Sequence, residues 1–215
     1  TEAGQTYLAQ AGALLTELDN LDAELSHGST LPVGRLRVTA PVSFGMRYLG
    51  RAVAGFHQQY PDVDVELSLN DRRVDLVEEG FDLAIRVSSL ADSSLVARRL
   101  ARVADVLCAA PSYFARRGVP KTPAELAEHD CLIYTLAQQP TLWSYTDDAG
   151  RQDKVRVNGP LRANNGDILA DAAIQGMGLI LQPRFLLEEA LQAGKLVPVL
   201  EAYHWSALEL SAVYP

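Results

Sequence analysis

Tyr7, Ala11, Leu14, Leu18, Leu21 and Leu25 recur at alternating spacings of four and three. That is the period of a helix with a continuous apolar seam, predicted over residues 1–27. His27-Gly-Ser-Thr-Leu-Pro32 then breaks the pattern as a linker. A helix set apart by a linker must bury its seam against something, and a second copy of the chain is the simplest partner. From Arg35 to Val38 polar and apolar residues alternate as in a strand, and Pro41 ends the ladder. Ser43 is a candidate N-cap, and Met46, Leu49, Val53, Phe56 and Tyr60 form a helical stripe behind it. Two readings of this turn stand side by side. The cap serves only its helix, or the free amides of the turn receive a small anion or carboxylate.

Strict alternation over Val63–Leu69 predicts a second strand. Asn70-Asp71 caps a short helix expected over Arg72–Glu79 and closed by Gly80, and Phe81–Val87 is a third strand. Ser88 to Ser94 is a polar loop. Leu95–Ala110 reads as two extended segments, with Arg98, Arg99 and Arg102 on a solvated face. Pro111 and Pro123 each open a short helix, and Cys131–Tyr134 is a strand. The runs from Trp143 to Thr146 and from Lys154 to Val157 flank Asp147-Asp-Ala-Gly150 as a hairpin, with Trp143 packed inside. Leu161–Ile168 repeats the logic of the first turn: a strand end, capping asparagines, then a helix to Gln175. Gly176 and Gly178 stop that helix, Leu179–Leu181 is a strand, and Pro183 opens a helix that Gly194 closes. Leu196–Leu200 and Leu208–Tyr214 are the last strands. Strands alternating with helices predict parallel βαβ units with ligands at the carboxyl ends of the strands. The loops after Ala40 and Val87 should therefore share one edge of the sheet.

Length and composition narrow the function. The 215 residues suffice for one large domain or two small ones. With 27 acids against 19 bases the net charge is -8, the wrong balance for a segment that binds nucleic acid by itself. No apolar run is long enough to span a bilayer, and no secretory signal is legible. Cys108 and Cys131 have neither metal-type nor redox-type spacing and read as buried small hydrophobes of a reducing cytoplasm. His27, His57, His129 and His204 are scattered, so neither a metal nor another cofactor is expected. Gly176-Met-Gly178 follows a helix and precedes a strand, the wrong order for a dinucleotide fingerprint. No phosphate loop, nucleophile elbow or paired-histidine zinc motif occurs, so an enzyme is not expected. The chain opens inside a helical pattern and stops on a strand, as an excised part of a longer protein would.

The order of these pieces resembles the LysR-type transcriptional regulators. The resemblance rests on the seam helix and on Gly34-Arg-Leu-Arg-Val-Thr-Ala-Pro-Val-Ser-Phe-Gly45. It extends through the run from Asp71 to Val87, Ala163-Asn-Asn-Gly-Asp-Ile-Leu169, Gln175-Gly-Met-Gly-Leu-Ile-Leu-Gln-Pro183 and Gly194-Lys-Leu-Val-Pro-Val-Leu200. It implies an α/β fold of the type II periplasmic-binding-protein kind. Two Rossmann-like subdomains are joined by two crossover strands and preceded by a long linker helix at 1–30. Residues 34–98 and 203–215 would form the first subdomain, and 104–198 the second. By the same resemblance the chain is an effector-sensing domain that works as a homodimer or homotetramer. Leu14, Leu18, Leu21 and Leu25 would serve dimerisation. DNA would be bound only through the family's N-terminal winged helix-turn-helix, which precedes this stretch. The implied effector contacts are Val42, Ser43, Phe44 and Ser88, with Asn164, Asn165 and Gln182 from the second subdomain. Ser88 stands where the family commonly has glycine. Two helix starts facing each other across a cleft suit a small polar or anionic effector. The competing class is a solute-binding protein for transport, which would have no use for the seam helix.

Overall fold

The computed structural model describes residues 32–72, 74–88, 96–205 and 207–215. The seam with Leu14, Leu18, Leu21 and Leu25 lies outside the described residues, as does the polar loop beyond Ser88. Strand β1 (Gly34–Ala40) pairs in parallel with β2 (Val63–Leu69) and with β3 (Leu83–Ser88). Between β1 and β2 runs helix α1, residues 42–59, whose second turn, Gly45–Leu49, is π-type. Such a turn adds a residue to the helical period, and it carries Met46 off the apolar stripe to 66% exposure. Leu49, Val53, Phe56 and Tyr60 stay half-buried.

Ser43 is not a cap. The N-cap position belongs to Pro41, which has no side-chain cap bond to give. The helix expected over 72–79 is absent as well: the described residues form turns there. Its polar side chains are spent on local backbone instead, Asn70 Oδ1 accepting from the Arg72 amide and Asp75 Oδ1 from the amides of Val77 and Glu78. Arg37 then fixes the turn to β1, donating from Nη1 to the carbonyls of Glu79 (2.9 Å) and Gly80 (2.7 Å) and lying over the Phe81 ring. Leu76, Phe81, Ala84 and Val213 form the small core beneath.

What read as two extended segments is one strand, β4 (Val96–Ala109). Its first part is exposed and carries Arg98, Arg99 and Arg102. Beyond it come α2 (Pro111–Arg117), a 3-10 turn at Pro123–Glu128, and β5 (Ile133–Tyr134). The expected hairpin is present as β6 (Leu142–Thr146) and β7 (Gln152–Arg156). Then follow β8 (Arg162–Ala163), α3 (Gly166–Ile174), β9 (Ile180–Pro183), α4 (Arg184–Gln192) and β10 (Val197–Pro198). Strand β11 (His204–Trp205) pairs with β6, and β12 (Ala207–Tyr214) returns to pair with β3 and β4. The end of β4 pairs instead with β9 and β10. One strand therefore passes from the first lobe into the second, and the segment after Trp205 passes back. The expected return at residue 203 comes later, because Tyr203 and Trp205 pack in the second lobe with Trp143 and Leu107.

A second cluster around Leu169, Ile180, Leu187 and Leu196 completes that lobe. The Tyr113 hydroxyl accepts from the Asp130 amide (2.9 Å) and shares a hydrogen bond with His129 Nδ1 (3.0 Å), a structural use of that histidine. Among the described residues no helix is long and apolar enough to cross a membrane.

The glycines around the bridge between Cys131 and Leu179 are steric requirements. A Cβ at Gly178 would overlap the Asp130 carbonyl oxygen, and one at Gly159 the backbone of Cys131. Gly50, inside α1, has open space around its Cα. Gly178→Ala and Gly159→Ala should each lower stability by roughly 1–3 kcal/mol, whereas Gly50→Ala should raise it by about 0.5–1 kcal/mol. Urea midpoints at constant slope check the contrast.

Candidate functional site

A cleft of about 740 Å³ opens between the lobes where β1 and β3 end. The turns after Ala40 and at Ser88 share that edge, as the alternation of strands and helices requires. Ser43, Phe44, Ser88 and Gln182 line it; Val42, Asn164 and Asn165 do not. Each of the three has a physical reason. The Val42 amide donates to Asp71 Oδ1 at 3.0 Å. Asn165 is the N-cap of α3, its Oδ1 accepting from the amides of Asp167 (3.0 Å) and Ile168 (3.3 Å). Asn164 is exposed. The two helix starts do approach each other, but they satisfy one another.

The contact between them is made by carboxylates. Ser43 Oγ, 6% exposed as a residue, donates to Asp167 Oδ2 at 2.5 Å, and Arg47 Nη2 donates to Asp167 Oδ1 at 2.6 Å. Asp71 Oδ2 accepts from Asn165 Nδ2 at 3.2 Å while its other oxygen holds the Val42 amide. Phe185, in the first turn of α4, stands edge-on to Phe44 (5.8 Å between centroids) and Tyr48 (6.0 Å). The place that the sequence assigned to an effector's anion is thus taken by the side chain of Asp167. Gly45 allows the close start of α1, since a Cβ there would overlap the Leu69 side chain.

Deeper in, the cleft is lined by Tyr134, Trp143, Phe185, Leu181 and Leu208 among apolar groups. Its charged lining is Arg72, Arg86, Lys154, Asp71 and Asp105. Arg72 pairs with Glu79 (2.7 Å), Arg86 donates to the Val74 carbonyl (2.8 Å), and Lys154 to Gln139 Oε1 (3.2 Å). Burial, and after it the charge of Asp71, push the Tyr134 phenol up to about 12, so it stays a neutral donor. Asp105 lies on β4 opposite Pro183 of β9. Its Oδ1 is enclosed and has no hydrogen-bond partner among the described residues. Burial alone pushes its carboxyl up to about 7.

Arg86, Asp105, Tyr134 and Lys154 escaped the reading of the sequence. Arg86 sits in a strand whose alternation was legible, so its place beside Ser88 was available. Nothing in the sequence marks Asp105, because what distinguishes it is the absence of a partner. Among the described residues no group of His, Cys, Asp and Glu is arranged to hold a metal ion.

A family profile of the LysR substrate binding domain matches residues 29–215. The chain is 33% identical over 215 residues to the HTH-type transcriptional activator TtdR of Escherichia coli K12, covering 100% of this chain and 69% of that protein. It superposes on the full-length Vibrio cholerae virulence activator AphB, a member of the LTTR protein family, with a TM-score of 0.76 and 29% identity. That match covers 100% of this chain and 73% of the other. The regulatory domain of CrgA, a LysR-type regulator of Neisseria meningitidis, matches with a TM-score of 0.72 and 30% identity over 85% of this chain and 89% of its own.

Asp105 leaves a signature in stability. Its carboxyl is held at about 7 in the fold against 3.8 as the ordinary value. Between those limits the folded chain binds more protons than the unfolded one, so stability falls as pH rises. The contribution is complete below about pH 4 and gone above about pH 7, at about 1.4 kcal/mol per pH unit between. Asp105→Asn, a neutral isostere, should flatten this slope. Its melting temperature should exceed that of the wild type by a margin that widens from pH 5 to about pH 7 and then levels off, with a slope of at most one proton, as thermal melts across about pH 5 to 8 would read.

Proposed function

The chain belongs to the LysR-type transcriptional regulators as their substrate-binding, effector-sensing domain, and from that membership we propose that its interlobe cleft holds a small polar or anionic effector that resets the angle between the lobes. We assign residues 34–98 and the returning β12 to the first lobe and 104–198, with β11, to the second. The observation that carries the reading is the cleft itself: about 740 Å³ between two lobes, with polar groups from both in its wall. That volume lies in the range of small-molecule sites. The relatives are named as transcriptional regulators, which favours this reading over a transport protein.

An effector acts by binding one lobe arrangement better than the other. The change then reaches DNA through the geometry of a homodimer or homotetramer, with the family's winged helix-turn-helix making the DNA contact. The seam at 1–27, through Leu14, Leu18, Leu21 and Leu25, is one proposed contact between copies. The exposed Met46 and Tyr48 of α1 and Leu67 of the edge strand β2 offer another. The role is a non-enzymatic one in the cytoplasm. Two fully buried free thiols, Cys108 and Cys131, suit a reducing compartment.

Gln182 tests the cleft. It is 5% exposed, and it lines the cavity beside Gly166. In a thermal-shift screen of small organic acids, ligands that stabilise the wild type should stabilise Gln182→Ala less. The loss in affinity should be about threefold to tenfold, the size of one neutral hydrogen bond. The melting temperature without ligand should change little. Equal ligand increments in both proteins, for every stabilising acid, would contradict the assignment.

A further inference from the structure

One carboxyl in the cleft wall has an oxygen with no hydrogen-bond partner among the described residues. Asp71 is engaged by the Val42 amide and Asn165, whereas Asp105 Oδ1 is enclosed without a donor. Along β4, Asp105 lies on the same face as Val103 and Leu107, and Leu107 belongs to the core that holds Trp143 and Trp205. Asp105 therefore stands where that core ends and the cleft begins. The charged groups facing the same space are Arg72, Arg86, Lys154 and Asp71, and Asp105 Oδ1 has no hydrogen-bond partner among the described residues. With the charge of Arg72 offset by its pair with Glu79, the cations Arg86 and Lys154 against the one carboxylate of Asp71 still give the space a positive balance, which favours an anion over an ammonium ligand. An ionised Asp105 would repel such an anion; a protonated one would donate to it.

We propose that Asp105 contacts the effector directly, its carboxyl O–H donating to a carboxylate of the ligand, so that the effector enters the cleft together with one proton. The inference rests on the cleft reading above and names the ligand's chemistry: an organic carboxylate. Without ligand the proton comes and goes near neutrality, because burial holds Asp105 at about 7. A carboxylate that accepts the proton's hydrogen bond keeps it on Asp105 to higher pH, so binding above neutrality draws a proton from solvent. Below neutrality Asp105 is already protonated and no proton is needed. Affinity must then fall as pH rises through about 7.

The test uses succinate and benzoate as probes, with succinamide and benzamide as uncharged counterparts. Binding is read by Trp143 fluorescence, with Trp143→Phe to show that the signal comes from the cleft. Calorimetry in two buffers of different ionisation enthalpy counts protons. At least one carboxylate should bind at millimolar concentration in preference to its amide, about tenfold more weakly at pH 8 than at pH 6, with close to one proton taken up at pH 8. Asp105→Asn keeps a donor and loses the titration, so it should bind equally at both pH values with no proton uptake. Asp105→Leu should bind about tenfold more weakly at the lower pH. A cleft signal with pH-independent affinity and no proton uptake overturns the inference and leaves the cleft reading intact. Preference for the amides does the same. No Trp143 response to any probe overturns both.

Discussion

One carboxylate, that of Asp167, ties the start of α1 to the start of α3, and the arrangement of the two lobes depends on it. Its bond from the buried Ser43 hydroxyl, 2.5 Å long, is charge-assisted and of the kind that contributes about 1.5–3 kcal/mol. The Arg47 pair is about a third exposed at both ends and adds less, about 0.2–1 kcal/mol. Asp71 repeats the device between the Val42 amide and Asn165, and Phe185 closes on Phe44 and Tyr48 beside it. Together these contacts set the scale that an effector must match. A ligand opens, closes or rotates the lobes only by the difference in its affinity for the arrangements, and a latch of a few kcal/mol is within reach of a small anion.

The lobes are unequal partners in this contact. The second has two adjoining cores, with Tyr113, Leu126, Ile133, Leu169 and Leu187 almost wholly buried. The first has a small core under the Arg37-bound turn, and its long helix buries only Ser43 and Gly45. Close packing makes the second lobe the stiffer body. The first lobe leaves apolar side chains of α1 and β2 uncovered, which is where an assembly of copies would take hold.

Much of this was legible in the sequence, and the failures have physical causes. Pro111, the Asp147–Gly150 turn and the Asn165 cap act through local backbone chemistry, so their elements appear where the residues say. Ser43 and the 72–79 segment did not follow suit. Asp167 takes the Ser43 hydroxyl from across the cleft, while Asn70 and Asp75 bind local amides of the 70–79 turn and Arg37 anchors its end through the carbonyls of Glu79 and Gly80. The same limit applied at the site. Ser43, Phe44, Ser88 and Gln182, named by family resemblance and strand ends, line the cleft. Val42 and Asn165 do not, since a helix start that looks open in sequence can be filled by its own chain. Asp105 is known only by its enclosure, which no spacing encodes.

The dependence of lobe arrangement on Asp167 can be measured directly as a distance. Spin labels on His57→Cys and Asp171→Cys sit on exposed positions, one in each lobe, and the native thiols are too buried to be labelled. Double electron–electron resonance on the labelled chain diluted into an excess of unlabelled chain, so that only the pair within one copy reports, should give one narrow distribution. Asp167→Ala should broaden or displace it, while circular dichroism stays that of the folded protein. A distribution superimposable on that of the parent would contradict the account, because the lobes would then hold their angle without the carboxylate that joins them.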